Sequence, residues 1–211
     1  MKNILFIGAH YDDTELGGGG TAARLATEGK NVYKLTLTNN VTKSAHLHIN
    51  VEYETSVKES ALACEVLGIR EITEFEPIEC NYLFYDTEIM QKIEDVLYKY
   101  KIDTVFMHHF DDLNQDHISA SRLCITAARH CDNIFFFQSN LYILPHSYYP
   151  TYFVDISKYI DKKREALYKY TGDHNRFSAL FETNIERNKV WGYSNKCEYA
   201  EGFVVQKCLM R

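Results

Sequence analysis

The chain has 211 residues, 45% hydrophobic and 25% charged, with a net charge of −6. That is room for one sizeable core, and a single domain over residues 1–211 is the expectation. Scattered basic residues under a net negative charge argue against nucleic acid and anionic membrane surfaces as partners. Six cysteines, at 64, 80, 124, 131, 197 and 208, form no C-x-x-C pair and read as reduced thiols. The first apolar run, Ile4 to Ala9, is too short for a signal-peptide core, and nothing later approaches a membrane span, which points to the cytoplasm.

In chain order, short β-branched or aromatic runs alternate with longer segments of helical spacing. The spacing predicts a strand at Asn3 to Ala9, a helix at Glu15 to Glu28, a strand at Asn31 to Thr38 and a helix at Val51 to Leu67. A strand at Glu71 to Phe75, a helix at Asp86 to Tyr100 and a strand at Thr104 to His108 follow. Then come a helix at His117 to Cys131 and a strand at Asn133 to Gln138. Beyond Pro150 the pattern gives a helix at Asp155 to Tyr170, a less regular one at Phe177 to Trp191, and a last strand near Gly202 to Cys208. Gly29 and Gly68 stand where a left-handed cap would end the first two helices. The alternation predicts an α/β layered fold, a mostly parallel sheet between two helical layers. In such sheets ligands bind beyond the carboxyl ends of the strands.

Two clusters fall at such ends. The first, AHYDDTELGGGGT, leaves the first strand with His10 and Asp13 three positions apart and Asp12 beside them. The second, HHFDDLNQDH, leaves the Thr104 to His108 strand and ends in His117 at a helix start. If the two strands are neighbours, His10, Asp13 and His117 converge. Two imidazoles and a carboxylate would leave a coordination position for water, as catalytic rather than structural zinc requires. A lone H-x-x-D is more often a solvated loop; two clusters, each at a strand end, favour a metal. The glycines after Asp13 let a substrate approach backbone amides closely, with Gly18 and Gly19 as its contacts. No G-K-[ST] and no G-x-G-x-x-G follows a strand, so a nucleotide-phosphate reading is weak.

These residues carry a resemblance. Ala9 to Gly17, AHYDDTELG, resembles the A-H-P-D-D-x-E-x-G signature of the LmbE-like, or PIG-L, family of zinc-dependent N-deacetylases, and Asp111 to His117, DDLNQDH, resembles its second motif. Weaker echoes include Glu59 to Gly68, Phe153 to Ile156 with Lys163, and Tyr199 to Phe203. The resemblance implies a Rossmann-like enzyme that removes an acetyl group from the 2-amino group of a glucosamine-type sugar. It implies a Zn2+ cofactor, or another divalent cation, held by His10, Asp13 and His117, with Asp12 as general base and Asp116 in support. It also allows a homo-oligomer.

The chain departs from the pattern at four places. Tyr11 replaces a proline, and Asn114 stands where many members carry a histidine. Asn114 can donate a hydrogen bond to an oxyanion but cannot deliver a proton; it takes that role or leaves it to His108 or His109. Ser56 replaces a substrate-binding arginine, and Gln138 a glutamate found in some members. His109, His146, Tyr148 and Tyr149 are the further candidates for the substrate pocket, while His46, His48 and His174 read as surface residues. A facial-triad iron enzyme with the same ligands and a non-catalytic sugar-binding domain are the competing readings.

Overall fold

The computed structural model describes residues 1–44, 49–144, 146–171 and 180–209. β1 (Asn3–Gly8) lies mid-sheet, with Ile4 and Phe6 in one core and Leu5 and Ile7 in the other, all fully buried. Such two-sided burial is why its sequence is a continuous apolar run rather than an alternating one. The chain then runs through α1 (Asp13–Thr27), β2 (Asn31–Thr36), β3 (Thr42–Ser44), β4 (Ile49–Val51), α2 (Tyr53–Leu67) and β5 (Arg70–Glu71). α3 (Thr87–Lys99), β6 (Thr104–His108), α4 (Gln115–Ala127), β7 (Asn133–Phe137), β8 (Tyr152–Asp155), α5 (Ile160–Leu167), α6 (Glu182–Ser194) and β9 (Ala200–Cys208) complete it.

The sheet order is β5-β2-β1-β6-β7-β9-β8. From β5 to β7 neighbours are parallel, and β9 runs antiparallel to both β7 and β8. Apolar residues of α1, α2, α5 and α6 pack on the Ile4 and Phe6 face, and those of α3 and α4 on the Leu5 and Ile7 face. The result is the expected three-layer, Rossmann-like arrangement. Successive strands leave β1 in opposite directions, β2 on one side and β6 on the other, so a crevice opens between the loops after β1 and β6. Ile7 pairs with Met107, which puts both candidate clusters at the same edge of the sheet.

Gly68 caps α2 at φ 73°, and Gly29 follows α1 at φ 79°, the left-handed geometry expected of both. Elsewhere the structure corrects the reading. Only Arg70 and Glu71 pair with β2, so the expected Glu71 to Phe75 strand is a two-residue edge. Tyr152 to Asp155 form an edge strand against β9, and the helix expected from Asp155 begins only at Ile160. Asp155 instead makes a turn, its Oδ1 accepting from the Ser157 amide at 2.9 Å. A small antiparallel hairpin, β3 with β4, takes up Val51, the expected helix start. His46, His48, His174 and Phe177 lie outside the described residues. All six cysteines are free thiols, four of them buried. Among the described residues, no helix is long and apolar enough to cross a membrane.

Candidate metal centre

Pairing of β1 with β6 meets the condition set by the sequence, and His10, Asp13 and His117 come together. His10 Nδ1 is 3.2 Å from His117 Nε2 and 3.4 Å from Asp13 Oδ2, and His117 Nε2 is 3.3 Å from Asp13 Oδ1. Donors bonded to one tetrahedral zinc at 2.0–2.1 Å stand about 3.3 Å apart. The three residues present therefore fit a divalent cation with a position left open.

The far side of each imidazole faces a carboxylate. His10 Nε2 lies 3.2 Å from Asp116 Oδ2, and His117 Nδ1 lies 3.0 Å from Asp112 Oδ2. An imidazole donating its N–H to a carboxylate keeps the opposite nitrogen unprotonated and more basic, the usual support of a metal-bound histidine. Asp116 and Asp112 are thus placed to favour the tautomers that would leave His10 Nδ1 and His117 Nε2 free for a cation. Asp112 was not singled out from the sequence; it lies five positions before His117, across a loop where no helical or strand spacing links the two.

The electrostatics follow from this crowding. Burial favours neutral His10 and His117, but hydrogen bonds to Asp116 and Asp13 hold His10 well above the usual histidine value. Asp13 and Asp112 likewise hold His117 at about 9. Asp13 is buried, yet the neighbouring charges of His117 and His108 hold it well below the usual carboxylate range. Without a cation, protons on the imidazoles balance the carboxylates. A metal would have to displace them.

Local structure delivers these groups. Asn114 caps α4, its Oδ1 accepting from the amides of Asp116 at 2.8 Å and His117 at 3.4 Å. Asp12 stands at the N-cap position of α1, 7% exposed, and its carboxylate does not cap the helix. Beneath the turn, Lys34 Nζ donates to the Tyr11 carbonyl at 2.5 Å and to Glu15 Oε1 at 2.8 Å, while the Tyr170 hydroxyl donates to the same carbonyl at 2.7 Å. Lys34 is fully buried, and the charge of Glu15 holds its ammonium well above the ordinary lysine value against the cost of burial.

The glycine run has a packing task. A Cβ on Gly17 would meet Phe137 at 2.3 Å, one on Gly18 would meet Phe6 at 2.6 Å, and one on Gly20 would meet Ile156 at 2.7 Å. Gly19 faces Lys163. Gly18 and Gly19 are therefore packed into the protein's own core: they let α1 lie close on the sheet and under α5. The helix kinks at Gly18, and a buried pair fills the break. Glu201 accepts from the amides of Gly20 and Thr21, Lys163 Nζ donates to the Leu16 carbonyl, and the two side chains meet at 2.6 Å.

The other candidates differ in how they stand to His10, Asp13 and His117. His108 is fully buried, stacked on His117 at 3.9 Å with its Nε2 2.9 Å from Asp13 Oδ2, so it supports the ligands from below. His109 is buried among the rings of Phe110, Phe136 and Tyr148. His146 meets Asp111 Oδ2 through its amide at 3.0 Å and its Nδ1 at 3.3 Å, with its side chain 86% exposed. The Tyr148 hydroxyl lies within 2.9 Å of the Phe136 and Gly202 carbonyls, a strut between strands rather than a pocket wall. Ser56 is buried and accepts from Asn40, and Gln138 is buried against Arg187.

An open α/β sheet carries two imidazoles and a carboxylate at its switch point, a grouping that could hold a metal ion. The family model described as PIG-L, GlcNAc-PI de-N-acetylase, matches residues 5–128, and the chain belongs to this LmbE-like family of deacetylases. A protein of Escherichia coli K12 described as the uncharacterized deacetylase YaiS is 29% identical over 133 residues, 61% of this chain and 69% of that protein. Two solved structures share the fold alone. GalB, the 4-carboxy-2-hydroxymuconate hydratase of Pseudomonas putida KT2440, is 22% identical with TM-score 0.83, over 100% of this chain and 98% of that one. The N,N'-diacetylchitobiose deacetylase of Pyrococcus horikoshii is 20% identical with TM-score 0.81, over 97% and 84%.

Proposed function

We propose that the protein is a metal-dependent amide hydrolase that removes an acetyl group from the 2-amino group of an N-acetylglucosamine-type sugar. The observation that carries this is the pair of imidazoles at tetrahedral ligand spacing, each backed by its own carboxylate. His10, Asp13 and His117 would hold the cation. When bound, a divalent cation such as Zn2+ lowers the pKa of water to near neutrality and polarises a carbonyl oxygen.

The chain's own residues do the rest. Asp12, adjacent to the ligand Asp13, accepts the proton of the attacking water and returns it to the departing amine, so one carboxylate serves as base and then as acid. Asn114 has its Oδ1 committed to α4, and its amide nitrogen serves as the neutral donor for the tetrahedral oxyanion. Lys34 and Tyr170 hold the Tyr11 carbonyl, and with it the turn carrying Asp12. The family match favours amide hydrolysis over the hydration performed by GalB, whose likeness is one of fold. The deacetylase that acts on N,N'-diacetylchitobiose supports an amino-sugar substrate in the same way, as a neighbour rather than an assignment.

The test is elemental analysis of protein purified without added metal, followed by assay of free amine released from N-acetylated amino sugars. Wild type should hold about one zinc per chain, His117→Ala should lose it, and Asp12→Asn should keep the metal but lose the activity. Metal bound equally by His117→Ala, or undiminished activity of Asp12→Asn, overturns the assignment.

A further inference from the structure

A second set of metal-ligating side chains lies behind His10, sharing that imidazole and Asp116 with the first site and adding Cys80. Cys80 Sγ, Asp116 Oδ2 and His10 Nε2 lie within 4.8 Å of one another. Sγ is 3.7 Å from Asp116 Oδ2, and Nε2 is 3.2 Å from the same oxygen. Around one tetrahedral zinc, two N or O donors stand about 3.3 Å apart, and a thiolate stands about 3.6 Å from either. Both measured edges match. The scaffold is rigid: the Cys80 amide donates to Asn39 Oδ1 at 3.1 Å, and the next amide, Asn81, donates to Asp116 Oδ2 at 2.8 Å. Cys80 and Asp116 are buried, and Asp116 Oδ1 has no hydrogen-bond partner, so the carboxylate keeps an unused acceptor.

We propose that Cys80, Asp116 and His10 form a second, thiophilic divalent-metal site whose occupation inhibits the enzyme. The inhibitory consequence rests on the reading under Proposed function; the site itself does not. Thiolate, imidazole and carboxylate together suit Zn2+ in excess, Co2+ or Cd2+, and not Mg2+ or Ca2+. Binding displaces the Cys80 thiol proton and the His10 Nε2 proton to solvent, both of which now point at Asp116. It also takes Asp116 away from supporting His10, so His10 becomes a bridge between two cations rather than a neutral ligand of one. Activity therefore falls as the second site fills.

The experiment is a Co2+ titration of metal-free protein, read by the near-ultraviolet thiolate-to-cobalt charge-transfer band. Wild type should bind two equivalents, with the band growing only on the second. Cys80→Ser and Cys80→Ala should bind one, without the band. In parallel, the Zn2+ concentration giving half-inhibition should rise at least about tenfold in both variants, since even outer-shell changes cost 10- to 100-fold in metal affinity. Two equivalents without the band in wild type, or a second equivalent retained in both variants, overturns the proposal. A single equivalent that carries the band and survives His117→Ala upholds the thiolate site and sinks the first-site reading instead.

Discussion

At the scale of single residues, the site works by assigning protons. Asp112 and Asp116 each face one imidazole nitrogen, and the opposite nitrogens face each other and Asp13, where a cation would displace their protons. Asp112→Asn removes the anionic acceptor while keeping an oxygen for the Asn114 amide, which Asp112 Oδ1 now receives at 2.8 Å. Zinc affinity should fall about 10- to 100-fold, measured by chelator competition; unchanged affinity would mean that Asp112 does not set the His117 tautomer. Asn114 has two separable duties. Asn114→Asp keeps the cap oxygen on α4 and removes the N–H donor, so kcat should drop about 10²- to 10³-fold with the unfolding midpoint nearly unmoved. An aspartate variant with full kcat would reduce Asn114 to a cap. His10, Asp13 and His117 were legible in the sequence because each follows an apolar strand, His10 in the turn after β1 and Asp13 and His117 in the first turns of α1 and α4. Asp112 was not, since its partner lies across an irregular turn, and neither was the burial of His109, which depends on rings supplied by β7 and the loop after it.

At the scale of elements, α1 shows how glycine can be mistaken for a ligand site. Four consecutive glycines after an acidic turn suggest exposed amides, yet here they remove side chains so that a helix can lie against Phe6, Phe137 and Ile156. The positions are unequal, and that makes the interpretation testable. Gly17→Ala drives a Cβ to 2.3 Å from Phe137 in a close-packed core, and overpacking should cost about 1–3 kcal/mol or more. Gly19→Ala meets nothing nearer than Lys163 Cγ at 3.5 Å, an ordinary contact, and alanine favours helix over glycine by up to about 1 kcal/mol. Chemical denaturation should therefore find the first variant destabilised and the second neutral or stabilised, with KM unchanged in Gly19→Ala. A raised KM there would restore the substrate role that the packing argues against. The central strands were readable because two-sided burial makes them continuous apolar runs. The edges were not: two residues of β5 and four of β8 owe their strand geometry to pairing with β2 and β9, which no local pattern announces.

At the scale of the molecule, two buried ion pairs brace the layer that carries the site, Lys34 with Glu15 and Lys163 with Glu201. Lys34 interrupts the apolar strand NVYKLT, and a strand buried on both faces tolerates a lysine only with partners waiting. The second pair ties three distant segments: α5 supplies Lys163, β9 supplies Glu201, and the opened turn of α1 supplies two amides and a carbonyl. Burial pulls Lys163 below the ordinary lysine value despite the carboxylate at 2.6 Å, so the pair is costly in itself and its worth lies in the backbone groups it satisfies. Lys163→Met strands the Leu16 carbonyl and leaves Glu201 buried without its cation, which should cost about 3–5 kcal/mol in urea unfolding. Adding Glu201→Gln removes the stranded charge while keeping an acceptor for one α1 amide, so the double variant should be more stable than Lys163→Met alone. A single variant that loses less than about 1 kcal/mol, the value of an ordinary surface pair, would show that α1 holds its kink without the pair. If instead the loss is large and zinc affinity falls with it, the pair positions the first turn of α1, where Asp13 sits, as well as stabilising the fold.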